Sequence, residues 1–150
     1  PDFYFSQQVN VIAPFVIASL FEEVLRKSHG TILNIGSVHS RATKPGFTAY
    51  ATSKSGLSGL TRSLALEFGG DVTVNTIAPG ATETKMLIEG FSDNPSLLSD
   101  LEGYHPAKRI GQPNEIAELA LFLVSEQARF ITGSEISIDG GISGRLHDPS

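Results

Sequence analysis

The 150 residues contain no cysteine, which excludes disulfides and thiolate metal sites and fits a reducing compartment. Histidine is scarce as well: His29, His39, His105 and His147 lie far apart and form no helical ligand pair, so no metal site is expected. Basic residues are outnumbered, 11 against 16 acidic ones, for a formal charge of -5 with no basic run. Nucleic acid, whose binding needs a basic footprint, is therefore not an expected partner. The longest apolar stretch, residues 11–21, is too short to cross a bilayer and contains Pro14. No basic segment with a small-residue cleavage pattern precedes it, so neither a membrane span nor a secretory signal is expected, and the cytoplasm is the default location. No internal repeat or linker divides the chain.

What remains is the composition of an ordinary soluble globular protein, 40% hydrophobic and 18% charged. The length suits one domain that removes roughly 70% of its unfolded surface from water.

The chemistry concentrates in residues 37–54, SVHSRATKPGFTAYATSK. Tyr50 and Lys54 stand at i and i+4, so on a helix both side chains leave the same face. An ammonium beside a phenol stabilises the phenolate and makes tyrosine a usable acid or base. Ser37 ends the apolar run TILNIG, which reads as a buried strand, and the tips of such strands are where α/β sheets place reacting groups. A hydroxyl there can hold a carbonyl or alcohol oxygen while the phenol moves the proton.

Along the chain, residues 3–27 read as one helix with Val9, Ile12, Phe15, Val16, Leu20 and Val24 recurring at three and four. Pro14 gives no N–H to the carbonyl of Asn10, four residues earlier, which must find another partner. A strand over 31–36 and a turn-rich loop over 38–47 lead into a helix over 48–68. In that helix Ala51, Ser55, Gly56, Gly59 and Ser63 offer a close-approach face, and Leu57, Leu60, Leu64 and Leu66 supply bulk. A second strand over 72–78 ends at Pro79-Gly80, on the same sheet edge as Ser37. Residues 86–104 are the least regular part and have the character of a lid over a site. A helix beginning near Pro113 or Asn114 turns Ile116, Leu119, Ala120 and Leu123 inward. A strand over 135–138 precedes Asp139-Gly140-Gly141, and the tail 142–150 is expected to be loose unless it docks on a partner. The expected fold is α/β, a partial Rossmann-like parallel sheet of about three strands with flanking helices.

Ser37 lies thirteen residues before Tyr50, and Asn10 lies twenty-seven before Ser37, with NTIAPGATET and ITGSEISIDGG further on. Together these motifs resemble the short-chain dehydrogenase/reductase family over nearly the whole chain. The resemblance implies a catalytic tetrad of Asn10, Ser37, Tyr50 and Lys54, with Asn10 supporting a water-mediated proton relay. It also implies contacts to NAD or NADP by Tyr50, Lys54, Pro79, Gly80, Thr82 and Thr84, a small-molecule alcohol or carbonyl substrate, and a homo-oligomer joined through the first two helices. At Thr82 the family more often has a branched apolar residue.

One family feature is missing. No G-x-x-x-G-x-G or G-x-G-x-x-G turn, the device that brings a pyrophosphate up to a helix N-terminus, occurs in these residues. Relative to the family, the half that holds adenosine and pyrophosphate, and with it the NAD or NADP preference, is absent. The 31–36 strand then presents a bare apolar edge, so association with a second copy or with a separate covering segment is expected. Two functions fit: a nicotinamide-dependent oxidoreductase or its catalytic portion, and a non-catalytic oligomerisation or interaction module. A hydrolase using Ser37 lacks both a nucleophile-elbow G-x-S-x-G and a partnered histidine.

Overall fold

The structure is a computed structural model that describes residues 2–146. Pro1 and the end of the tail, His147 included, lie outside the described residues.

Three parallel strands form one sheet in chain order: β1 (Thr31–Ile35), β2 (Thr73–Pro79) and β3 (Glu135–Ile138). Thr31 pairs with Thr73 and Ile35 with Ile77, while Thr76 pairs with Glu135 and Pro79 with Ile138. All three strands therefore end at the same edge. The expected parallel α/β sheet is found, with strand boundaries shifted by one residue for β1 and β2.

Helix α4 (Thr48–Phe68) packs on one face of the sheet, with Leu57, Leu64 and Phe68 buried. Leu64 and Phe68 form one cluster with Ala18, Val72 and Val74. A second cluster forms around Ile77, with Leu123 and the inward residues Ile116, Leu119 and Ala120 of α7 (Pro113–Leu123). Each fully buried aliphatic side chain of this kind contributes about 1.5–3 kcal/mol. Gln112 and Glu115 form a reciprocal capping box at the start of α7, and Pro113 occupies its first turn, where no N–H is needed.

The central strand β2 buries polar side chains too, and each is satisfied. Asn75 Nδ2 donates to the Ile131 carbonyl at 2.7 Å and its Oδ1 accepts from the Ser134 amide at 3.1 Å. Thr76 shares a hydrogen bond with Thr61 of α4 at 2.7 Å, and Asn34 of β1 donates to the same Thr61 hydroxyl. Such a ladder fixes the helix in register on the sheet, since an unpaired group there costs about 1–3 kcal/mol.

The single helix expected over 3–27 is corrected to a segmented one: α1 (Phe3–Gln7), a π-helical turn (Gln8–Ile12), α2 (Ala13–Leu20) and α3 (Glu22–Lys27). Within the π turn the Ala13 amide reaches back five residues to the Gln8 carbonyl. Pro14 follows at once, so the wide turn and the missing N–H fall together around Asn10. Apart from Ala18 and Leu25, which meet the α4 cluster, the apolar stripe of this segment faces away from the core. Val9, Ile12, Phe15, Val16, Leu20 and Val24 are 44–75% exposed. Leu66, expected as bulk on α4, is likewise in solvent.

The run Phe3–Leu20 has the length and mean hydropathy, 1.2, of a membrane span, contrary to the shorter stretch read from the sequence. Val11 of this run packs at Gly56 of α4, where an added Cβ would lie 3.1 Å from a Val11 methyl. Between α2, α3 and the outer edge of β1 runs an open groove of about 400 Å³, lined by Ile17, Phe21, Val24, Ile32 and Leu33. Among the described residues, strand β1 pairs only with β2, so the bare edge expected from the sequence is present.

The stretch expected to be irregular contains two helices, α5 (Lys85–Glu89) and α6 (Pro95–Tyr104). Beyond β3, a short 3-10 turn at Ile142–Gly144 is held by Asp139, which accepts from the Gly141 and Ser143 amides.

Candidate active site

Helix α4 begins directly after the Pro45-Gly46 turn, in which Gly46 has φ +85°. That start places Tyr50 in the first turn and Lys54 in the second, on one face. The Lys54 ammonium lies 5.7 Å from the centre of the Tyr50 ring and donates to the Ile35 carbonyl, the last residue of β1, at 2.9 Å. Burial without a counter-charge lowers the lysine pKa. The charge beside the phenol is thus fixed by a strand-end carbonyl.

Ser37 follows β1 after Gly36, whose amide extends the ladder by donating to the Ile77 carbonyl at 2.7 Å. The serine is 7% exposed, and its Oγ accepts from the His39 amide at 3.2 Å, opening a 3-10 turn at Val38–Ser40. His39 stacks on Phe47, with ring centres 4.6 Å apart, and meets Tyr50 edge-on at 5.7 Å. Burial, and secondarily Lys44, lowers the His39 pKa and favours the neutral ring. The tyrosine is therefore walled by two rings that the sequence reading did not single out, although both lie between Ser37 and Tyr50.

Asn10 reaches α4 through its side chain. Its Nδ2 donates to Ser53 Oγ at 2.9 Å, and Ser53, fully buried, donates to the Tyr50 carbonyl at 2.8 Å. Asn10, Tyr50 and Lys54 are thus joined through α4. Lys54 in turn meets the end of β1, two residues before Ser37. The link through Ser53 has no sequence signal beyond a small residue beside the lysine.

Pro79 ends β2 at the same edge, and Gly80 passes so close to β3 that an added Cβ would lie 2.9 Å from Asp139 Cα. Glycine is required at that approach. Thr82 bridges to Gly111, with the Gly111 amide donating to Ala81 and the Glu83 amide to Gly111, both at 2.8 Å. Thr84 caps α5, accepting from the Leu87 amide at 3.3 Å, and is exposed. Pro79 and Gly80 thus stand at the edge where β1 ends before Ser37, and Thr82 and Thr84 follow them in the segment that leads into α5. The exposed Thr84 hydroxyl accepts from Leu87 and keeps its own proton for an acceptor from solvent. No phosphate-cradling glycine turn stands among these four residues. Among the described residues, no three histidine or carboxylate side chains gather as a metal site.

A family model described as enoyl-(acyl carrier protein) reductase matches residues 1–143. A 3beta-hydroxysteroid dehydrogenase of Eggerthella lenta is 40% identical over 119 residues, covering 79% of this chain and 45% of that protein. Among solved structures, a 4-hydroxyisoleucine dehydrogenase mutant complexed with NADH and succinate superposes with a TM-score of 0.89 at 37% identity, covering 97% of this chain and 60% of the other. An oxidoreductase of the short-chain dehydrogenase/reductase family from Burkholderia thailandensis gives 0.89 at 32% identity, over 95% and 57% of the two chains. The chain spans about half the length of the curated relatives it matches.

Proposed function

Because the chain belongs to the short-chain dehydrogenase/reductase family, we propose that it supplies the catalytic portion of a nicotinamide-dependent oxidoreductase interconverting a small alcohol and carbonyl. The observation that carries this reading is the arrangement of Tyr50 and Lys54 on one face of α4, with the ammonium anchored on the Ile35 carbonyl beside the strand tip that bears Ser37. The 150 residues act in this reading as one unit, the C-terminal part of a Rossmann-type fold.

Ser37 Oγ holds the substrate oxygen, and the Tyr50 phenol exchanges a proton with it. Lys54 holds its positive charge 5.7 Å from the centre of the Tyr50 ring while that proton is exchanged. Asn10, by bonding Ser53, fixes the turn of α4 that carries Tyr50 and supports the path by which the proton is replaced. The residues present fit the nicotinamide end of a dinucleotide, with Tyr50, Lys54, Pro79, Gly80, Thr82 and Thr84 as its holders. When bound, that group supplies or accepts the hydride.

The bare edge of β1 and the apolar groove beside it would be covered by a second copy or by a strand-bearing segment, in a cytoplasmic assembly without nucleic acid or membrane. A purely structural interaction module is the weaker reading, because the likeness runs to dehydrogenases and reductases. Separate titrations with NADH and NADPH, followed by nicotinamide fluorescence, test the proposal and read the cofactor preference. Saturable binding with ketone reduction supports it; no binding at millimolar cofactor would favour the interaction module, which cannot hold cofactor alone.

A further inference from the structure

The strand β3 carries a carboxylate that the proposed chemistry does not use. Glu135 has a side chain only 6% exposed, yet it is not stranded. Its Oε1 accepts from Ser40 Oγ at 2.7 Å and from Arg41 Nε at 2.9 Å, and its Oε2 accepts from the Ser58 hydroxyl. Three donors offset the cost of burying one charge, which would otherwise favour an apolar side chain at that position.

The donors come from two different parts of the candidate site. Ser40 ends the 3-10 turn that Ser37 opens, and its amide donates to the Ser37 carbonyl at 3.0 Å. Ser58 lies one helical turn beyond Lys54, with its hydroxyl 3.2 Å from the Lys54 carbonyl. A further bond, from Ser55 Oγ to the Ser40 carbonyl at 2.8 Å, joins the same two parts directly. One carboxylate on β3 thus spans the turn that carries Ser37 and the helix that carries Tyr50 and Lys54.

We propose that Glu135 is a positioning residue that sets the distance between the Ser37 hydroxyl and the Tyr50 phenol. The inference rests on the function proposed above for those two groups. A hydrogen-bonded carboxylate fixes directions as well as distances, whereas an apolar replacement would fill the volume and leave the turn free to shift. A misplacement of about 1 Å between reacting groups costs on the order of 100-fold in rate.

The test compares Glu135→Ala and Glu135→Gln with the wild-type chain by two readouts. The first is hydrogen exchange at the amides of Ser40, Arg41 and Ala42, with the β2 amides as an internal reference. Glu135→Ala is expected to speed exchange in the turn by at least about tenfold while β2 stays protected, with Glu135→Gln in between. If the Ala variant fails to fold, the near-isosteric Gln variant carries the comparison alone. Exchange in the turn that moves only together with β2, or not at all, overturns the proposal. The second readout is ketone reduction by the cofactor-loaded protein, where kcat is expected to fall about 10- to 100-fold with KM for cofactor unchanged. A drop in melting temperature with kcat intact would make Glu135 merely structural and also overturns the idea. Should the wild type reduce nothing, the function proposed above falls, and the exchange arm still decides whether Glu135 orders the turn.

Discussion

Gly36 runs past Thr76 so closely that a Cβ at position 36 would lie 2.6 Å from the Thr76 methyl and 3.3 Å from the Ile77 carbonyl. Thr76 is fully buried and its hydroxyl is held by Thr61, so it has no room to yield. Gly36→Ala is therefore expected to destabilise the fold by about 1–3 kcal/mol, read as a fall of several degrees in a thermal melt. Since Ser37 is the next residue, turnover should fall further than the melt alone explains. An unchanged melting temperature would show that the strand tip is softer than this packing implies.

Tyr50→Phe should leave the fold intact. The ring packs against His39 and Phe47, and phenylalanine keeps both contacts. The melting temperature is expected to stay within about 1 °C, because no buried bond is lost. Nicotinamide-dependent turnover is expected to fall by about 100- to 10,000-fold, the span of a lost general acid or base. Steady-state rates that match the wild type would remove the phenol from the mechanism.

Glu115 makes stability depend on acid. Arg109 donates to both of its oxygens, at 2.6 and 2.7 Å, and with the Gln112 amide this lowers the carboxyl pKa from 4.5 to about 2. A depressed carboxyl stabilises the fold above its unfolded pKa and loses that contribution as pH falls through the folded one. The stability gap between wild type and Glu115→Gln should thus be constant above pH 4.5 and close between pH 4.5 and about 2. Urea midpoints measured across that window check it. The pair is solvent-exposed, so the gap itself is small.

The apolar face of α2 and α3 predicts self-association of the isolated chain at micromolar concentration. Ile17 is 57% exposed in the groove beside β1. Ile17→Glu should shift sedimentation toward monomer while changing stability by no more than about 0.5 kcal/mol. A wild-type chain that sediments as a monomer would mean the groove needs no cover.

The parts legible in the sequence are those with local punctuation. Pro45-Gly46 before α4 and Gly69 after it bracket a helix whose ends match the reading, and β3 was legible between Gly133 and Asp139-Gly140. The inward face of α7 followed from its spacing alone. The N-terminal segment departs from the sequence reading because its apolar stripe has the right helical period, while most of that stripe faces solvent among the described residues. Its π turn left no compositional mark apart from Pro14. At the site, the four residues named from spacing lie on α4, at the tip of β1 and on the turn facing α4. Ser53 and Glu135 escaped notice because their importance lies in partners 43 and 95 residues away, Asn10 and Ser40.

Strand order also bears on how the molecule comes together. The sheet runs β1, β2, β3 in the order in which the strands are synthesised. Each new strand can add to an already waiting neighbour, and none has to force its way between two that are already paired. Growth in that direction leaves the outer side of β1 uncovered among the described residues. It is the side against which anything made earlier, or arriving later as a separate molecule, can register without undoing what has already formed.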